Sequence, residues 1–72
     1  MGASALPRTV GVIGLGLMGQ AVAGRLVGAG YRVCGYDLKA EARQRAAAQG
    51  VDAVPDARDV AGRASAVFLC LF

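Results

Sequence analysis

The stretch that decides the fold is TVGVIGLGLMG, residues 9–19. Its first half is a short apolar run without polar alternation, which is typical of a parallel strand covered on both faces. Its second half has glycine at positions 14, 16 and 19 and so fits the pattern G-x-G-x-x-G. The stretch therefore predicts a buried strand at 9–13 that passes through a glycine-rich turn into a helix.

The period of the apolar residues changes after the glycines. Met18, Val22, Leu26 and Ala29 recur at helical spacing, so they are expected to form the apolar face of a helix at 18–29. Gly30 follows the last of them and is expected in the left-handed conformation that commonly ends helices.

The rest of the chain alternates between strand and helix patterns. It predicts a strand at 32–36, a helix at 39–49 closed by Gly50, a strand at 51–54, a short helix with Asp56 as its N-cap that ends near Gly62, and a strand at 65–71. The connections are long enough for parallel pairing, and right-handed crossovers then give strand order 3-2-1-4. The predicted fold class is α/β, a Rossmann-type doubly wound parallel sheet that forms an incomplete domain.

Three features together give the glycine pattern a chemical meaning. A predicted strand precedes it, a predicted helix follows it, and Asp37 lies 18 residues after Gly19, at the end of the second strand. Gly14 would make the tight turn, Gly16 would let the backbone approach a pyrophosphate, and Gly19 would let the helix pack closely. A turn that serves packing alone would not require the distant acid. The pattern therefore favours dinucleotide binding.

The expected contacts are made mostly by the backbone. The amides of Leu17 and Met18 begin the helix, where unpaired donors and the helix dipole attract phosphate oxygens. Asp37 would accept hydrogen bonds from the adenosine ribose, which favours NAD because a carboxylate repels a 2′-phosphate. Lys39 and Arg43 follow closely and keep NADP open as the less favoured cofactor, although a solvated helix face is the commoner fate of such charges.

Composition argues against several other classes of protein. The chain is 56% hydrophobic, which is too apolar for disorder. Its eight basic and five acidic residues are interleaved without a basic stripe or an aromatic platform, so no nucleic-acid partner is expected. The longest uncharged stretch, residues 9–24, is shorter than the roughly 20 residues of a membrane span. Residues 1–7 are expected to form a flexible arm rather than a signal peptide, and the expected location is cytoplasmic.

The two cysteines lie in apolar runs that read as strands two and four. In the order 3-2-1-4 the first strand separates Cys34 from Cys70. Two strand spacings of about 4.8 Å exceed the roughly 7 Å that a disulfide can bridge between Cα atoms. Both cysteines are therefore predicted to be free and buried.

At residues 12–19, VIGLGLMG, the sequence resembles the β-hydroxyacid dehydrogenase family. This family includes 3-hydroxyisobutyrate dehydrogenase, tartronate semialdehyde reductase and the cofactor domain of 6-phosphogluconate dehydrogenase. The likeness continues through Ala23 and Leu26, residues 29–33 and 36–37 and the last strand, so it covers nearly the whole chain from Thr9. The chain has Val22, Arg25 and Phe72 where the family often has methionine, asparagine and proline, and none of these lies in the phosphate turn.

The resemblance also implies residue roles. It implies that Leu15, Met18, Leu38, Leu71 and Phe72 line the cofactor, with Met18 toward the nicotinamide. For Leu15, ordinary core packing is an equally open alternative.

The activity that the resemblance implies is hydride transfer between NAD(P) and a small 3-hydroxy acid, with the cofactor carrying the hydride. The family's acid/base lysine and its helical substrate domain lie downstream of these residues. The 72 residues alone are therefore predicted to be inactive and to contain no catalytic residue.

Three interpretations of the chain stay open. The first is that residues 8–72 are the N-terminal part of the NAD(P)-binding domain of an oxidoreductase, with the substrate domain absent. In that case a hydroxy-acid substrate would bind only to the full-length protein, for which a homo-oligomer stays open. The others are a non-catalytic dinucleotide-binding or interaction module, and another Rossmann reductase of the imine or pyrroline-carboxylate type.

Overall fold

Four parallel strands organise residues 8–70, the part of the chain that the computed structural model describes. In chain order the elements are β1 (Thr9–Ile13), α1 (Leu17–Gly28), β2 (Arg32–Tyr36), α2 (Ala40–Ala48), β3 (Asp52–Ala53), α3 (Ala57–Arg63) and β4 (Ala66–Leu69). The strand order is β3-β2-β1-β4 and all three pairings are parallel. The predicted fold class and strand order are confirmed, with element ends that differ by up to two residues. The predicted arm, residues 1–7, and residues 71–72 lie outside the described part.

The sheet is covered on both faces, as the continuous apolar run of β1 predicts. One core cluster lies under α1 and α2 and contains Val12, Leu15, Ala23, Val33, Ala42, Ala46 and Val51. The other lies under α3 and contains Cys34, Val54 and Val60. Val33 and Cys34 are neighbours in β2 and point to opposite faces, since successive strand side chains alternate. The two clusters fix β1 between the helical layers.

Helices α1 and α2 end in the same way. The amide of Gly30 donates to the carbonyl of Val27, and that of Tyr31 donates to the carbonyl of Leu26. Gly50 repeats the pattern after α2, and both glycines have positive φ. These are Schellman caps, and they confirm the predicted left-handed glycines.

The buried face of α1 differs from the predicted one. Met18 is 59% exposed and Ala29 is exposed, whereas the buried residues of this helix are Gly19 and Ala23. Hydrophobic spacing gives most weight to large side chains, but α1 packs closely on the sheet through its smallest residues. Val22 and Leu26 lie at the margin of that contact.

Both cysteines are free, as predicted, but only one is buried. Cys34 lies inside the sheet, and burial raises the pKa of its thiol above the ordinary value, so the thiol stays protonated at neutral pH. Cys70 is half-buried, which corrects the prediction. It directly follows β4, whose four residues are all exposed at the edge of the sheet.

Removal of the N-cap of α3 is expected to destabilise the chain. The Asp56 carboxylate accepts a hydrogen bond from the Arg58 amide at 2.7 Å. We expect Asp56→Ala to lower the free energy of unfolding by about 1 kcal/mol. Asp59→Ala removes an acid from the same first turn without removing the cap, and should cost only a few tenths of a kcal/mol. Urea denaturation followed by circular dichroism measures both, and equal losses would contradict the capping role.

Candidate dinucleotide-binding site

The candidate site lies at the carboxyl ends of β1 and β2. The register pairs Ile13 with Tyr36, so the β1–α1 and β2–α2 turns lie side by side. A cleft of about 270 Å³ opens between them, lined by Gly14, Gly16, Asp37, Lys39, Ala42, Arg45 and Cys70. β1 has β2 on one side and β4 on the other, which makes this edge the topological switch point where ligands of such sheets bind. A larger cavity of about 510 Å³ lies at the opposite edge, where the strands begin.

Two glycines bring the backbone segments of the site into direct contact. Gly14 has φ +98°, and a Cβ there would lie 2.4 Å from the carbonyl oxygen of Cys70. A Cβ on Gly19 would lie 1.7 Å from the carbonyl oxygen of Gly14. The Gly14 amide donates to the carbonyl of Tyr36 at 2.9 Å, which ties the turn to β2. The predicted tight turn at Gly14 and close packing at Gly19 are confirmed.

The start of α1 presents unpaired backbone donors. Gly16 is the N-cap residue and has no side chain, and the first turn contains no acid. The amides of Leu17 and Met18 have no acceptor within the helix, since the first N–H groups of any helix have none. The side chain of Leu17 is 88% exposed, so it does not cover this end of the helix. The helix start is therefore suited to an anion.

The Asp37 carboxylate links the two turns. Its Oδ2 accepts a hydrogen bond from the Leu15 amide at 2.7 Å, and its Oδ1 accepts one from the Lys39 amide at 2.8 Å. The Lys39 amide chiefly lowers the pKa of this carboxyl, with further lowering from the Leu15 amide and from the charges of Lys39 and Arg43, against some burial. Asp37 is thus ionised at neutral pH. Each oxygen retains a lone pair for a further donor such as a ribose hydroxyl.

The structure places the apolar residues that the resemblance implies for the cofactor site in different surroundings. Leu15 is fully buried in the core, so its side chain does not line the cleft, and core packing is the correct alternative. The side chain of Leu38 is 84% exposed at the edge of the site. Leu71 and Phe72 lie outside the described residues.

The structure also brings in residues that the sequence analysis did not assign to the site. Ala42 and Arg45 line the cleft together with Lys39, and their spacing of three residues along α2 is a signal that could have found them. Gln20 donates from Nε2 to the Leu15 carbonyl at 3.1 Å. No pattern in the sequence indicates that bond.

The arrangement fits a dinucleotide. The turn has no room for side chains at two of its three glycines, the helix start offers free amides, and an ionised carboxylate stands at the end of the neighbouring strand. Within residues 8–70 no group of three or more histidine, cysteine, aspartate or glutamate side chains could hold a metal ion. In the same range, no helix is long and apolar enough to cross a membrane.

Comparison with known proteins agrees with this geometry. The family model described as the NAD binding domain of 6-phosphogluconate dehydrogenase matches residues 9–72. The chain belongs to this family. Its membership confirms the resemblance, the predicted NAD-binding function and NAD as the cofactor of the family.

Individual relatives are similar over most of the chain. The NAD(+)-dependent, decarboxylating 6-phosphogluconate dehydrogenase of Haloferax volcanii is 43% identical over 54 residues, which are 75% of this chain and 18% of that protein. Among solved structures, the 3-hydroxyisobutyrate dehydrogenase of Mycobacterium tuberculosis with L-serine has a TM-score of 0.87 at 36% identity, over 92% of this chain and 23% of that one. An imine reductase from Bacillus cereus has a TM-score of 0.82 at 32% identity, over 88% and 22% of the two chains. The chain thus spans about a fifth of the length of these relatives.

Proposed function

We propose that residues 8–72 form the N-terminal part of the cofactor domain of an NAD-dependent β-hydroxyacid dehydrogenase. The observation that carries this proposal is the pairing of the donor-rich start of α1 with the ionised Asp37 carboxylate across one cleft. Hydride transfer to or from a small 3-hydroxy acid would require residues of a longer protein. The cytoplasmic location and a homo-oligomer of that longer protein stay predictions.

In this proposal each part of the cleft contacts one part of the cofactor. The amides of Leu17 and Met18 donate to the pyrophosphate, and Gly16 lets it approach the backbone. Asp37 accepts from the ribose hydroxyls of the adenosine half. Met18 extends toward the nicotinamide, which supplies the hydride chemistry. Lys39 lies beside Asp37 at the ribose end, so it does not serve as the acid/base group of the reaction.

The negative charge of Asp37 should determine the preference for NAD over NADP. We expect Asp37→Asn to weaken NADH binding roughly 10- to 100-fold, because charged hydrogen bonds contribute about 1.5–3 kcal/mol. NADPH binding should change much less, since the repulsion of its 2′-phosphate disappears. Titrations that follow the cofactor's own fluorescence measure both affinities.

Asp59→Asn is the matched control, because it makes the same change on α3, away from the cleft. It should leave both affinities unaltered. An unchanged ratio of NADH to NADPH affinity in Asp37→Asn would refute the assignment of Asp37 to the ribose.

A second candidate is an imine reductase, because two imine reductases at 26% and 32% identity match the fold with TM-scores of 0.86 and 0.82, close to the 0.87 of the dehydrogenase. Assays of the longer protein separate the two: oxidation of 3-hydroxy acids supports the first, and reduction of cyclic imines supports the second. Saturable NAD binding without either activity would favour a non-catalytic module.

A further inference from the structure

Arg43 on α2 holds the turn that carries Asp37. Its Nη1 donates to the carbonyl oxygen of Asp37 at 2.6 Å and to that of Leu38 at 3.2 Å. Its guanidinium lies over the ring of Tyr36, 5.9 Å from the centroid, at the end of β2. One side chain therefore contacts three consecutive residues where the strand passes into the turn. These contacts differ from the solvated helix face that sequence patterns favour for Arg43.

Asp37 is thereby held from two sides. Its carboxylate accepts from Leu15 in the glycine-rich turn, and its backbone carbonyl accepts from Arg43 in α2. Charge-assisted bonds to a planar guanidinium are short and directional, so they restrict rotation of the peptide that carries the acid. Without Arg43, only the hydrogen bonds from the Leu15 and Lys39 amides to the carboxylate would hold Asp37, and its peptide would be free to rotate.

We propose that Arg43 is a positioning residue that sets the Asp37 carboxylate for the 2′-hydroxyl of the adenosine ribose. This inference rests on the proposed function. In this inference Arg43 does not contact the cofactor and acts only through the peptide of Asp37. The charge of Arg43 also lowers the pKa of the Asp37 carboxyl, which is consistent with this arrangement.

The test compares two ligands, NADH and its analogue with 2′-deoxyadenosine, which lacks only the 2′-hydroxyl whose hydrogen bond to Asp37 depends, in this proposal, on Arg43. We expect Arg43→Gln to weaken NADH binding roughly tenfold while the affinity for the deoxy analogue changes less than about twofold. Arg43→Lys keeps the positive charge but not the planar guanidinium, so its NADH affinity should lie between those of the parent and Arg43→Gln. Arg45→Gln is the matched control, since Arg45 also lies on α2 and lines the cleft. It should affect the two ligands alike.

The outcomes separate this inference from the proposed function. Equal losses for both ligands in Arg43→Gln, or no loss for either, would overturn the positioning role while the cofactor assignment stands. Failure of the folded parent chain to bind NADH would instead overturn the proposed function. If Arg43→Gln does not fold, Arg43→Lys is tested with the same two ligands. A loss of affinity confined to NADH supports the positioning role. Affinities unchanged from the parent, or equal losses for both ligands, overturn it.

Discussion

Gly19→Ala is expected to lower the free energy of unfolding by about 3 kcal/mol or more, at the upper end of overpacking effects. The added Cβ would lie 1.7 Å from the oxygen and 2.7 Å from the carbon of the Gly14 carbonyl. Both atoms belong to the backbone, so no side-chain rotation relieves the contact. Helix α1 would have to move away from the turn, and the amides at its start would move with it. A chain of this size has little stability to lose.

Gly28→Ala makes the same chemical change near the other end of the same helix. A Cβ on Gly28 has nothing within 4 Å, so this variant should gain up to about 1 kcal/mol from helix propensity. Urea denaturation followed by circular dichroism compares the two variants with the parent. If Gly19→Ala is as stable as the parent, the claim that α1 packs too closely on the Gly14 turn to admit a side chain at position 19 is wrong.

Much of the fold was predictable because it depends on local rules. The run at 9–13 lacks alternation, and the structure places it between two helical layers. Gly30 and Gly50 indicate where two helices end, because the residue after a helix often has positive φ, which glycine adopts without strain. Strand order then follows from the handedness of parallel crossovers rather than from any further residue.

The details of the site depend on distances that sequence patterns do not encode. The Arg43 bonds require that α2 lie at one particular place on the sheet, and a charged residue on a helix otherwise indicates only a solvated face. The burial of Leu15 depends on how the turn is rotated, and its amide is held by a hydrogen bond to Asp37, 22 residues away in the sequence. Cys70 is half-buried rather than buried because it follows β4, which has a neighbouring strand on one side only, and an apolar run in the sequence does not tell an edge strand from a central one.

Gly16→Val is expected to abolish tight cofactor binding while leaving the fold in place. Gly16 has φ −71° and ψ −161°, an extended conformation that β-branched residues adopt readily. Its substitution should therefore not strain the backbone, in contrast to a change at Gly14. A branched side chain at the helix start would instead occupy the space through which a pyrophosphate approaches the amides of Leu17 and Met18. Loss of two charge-assisted bonds corresponds to a fall in affinity of at least about 100-fold.

Gly62→Val is the control for this change. A Cβ at Gly62, on α3, has nothing within 4 Å, and the residue does not line the cleft. Its NADH affinity should equal that of the parent. Circular dichroism spectra that match the parent would establish that both variants are folded before binding is measured.

The direct test is titration of NADH into the parent chain and folded Gly16→Val, followed by the emission of NADH because the chain has no tryptophan. Saturable binding by the parent and at least about a 100-fold weaker affinity in the variant is the expected result, since the helix-start amides hold the pyrophosphate. Equal affinities in the two folded proteins would show that the phosphate is bound elsewhere.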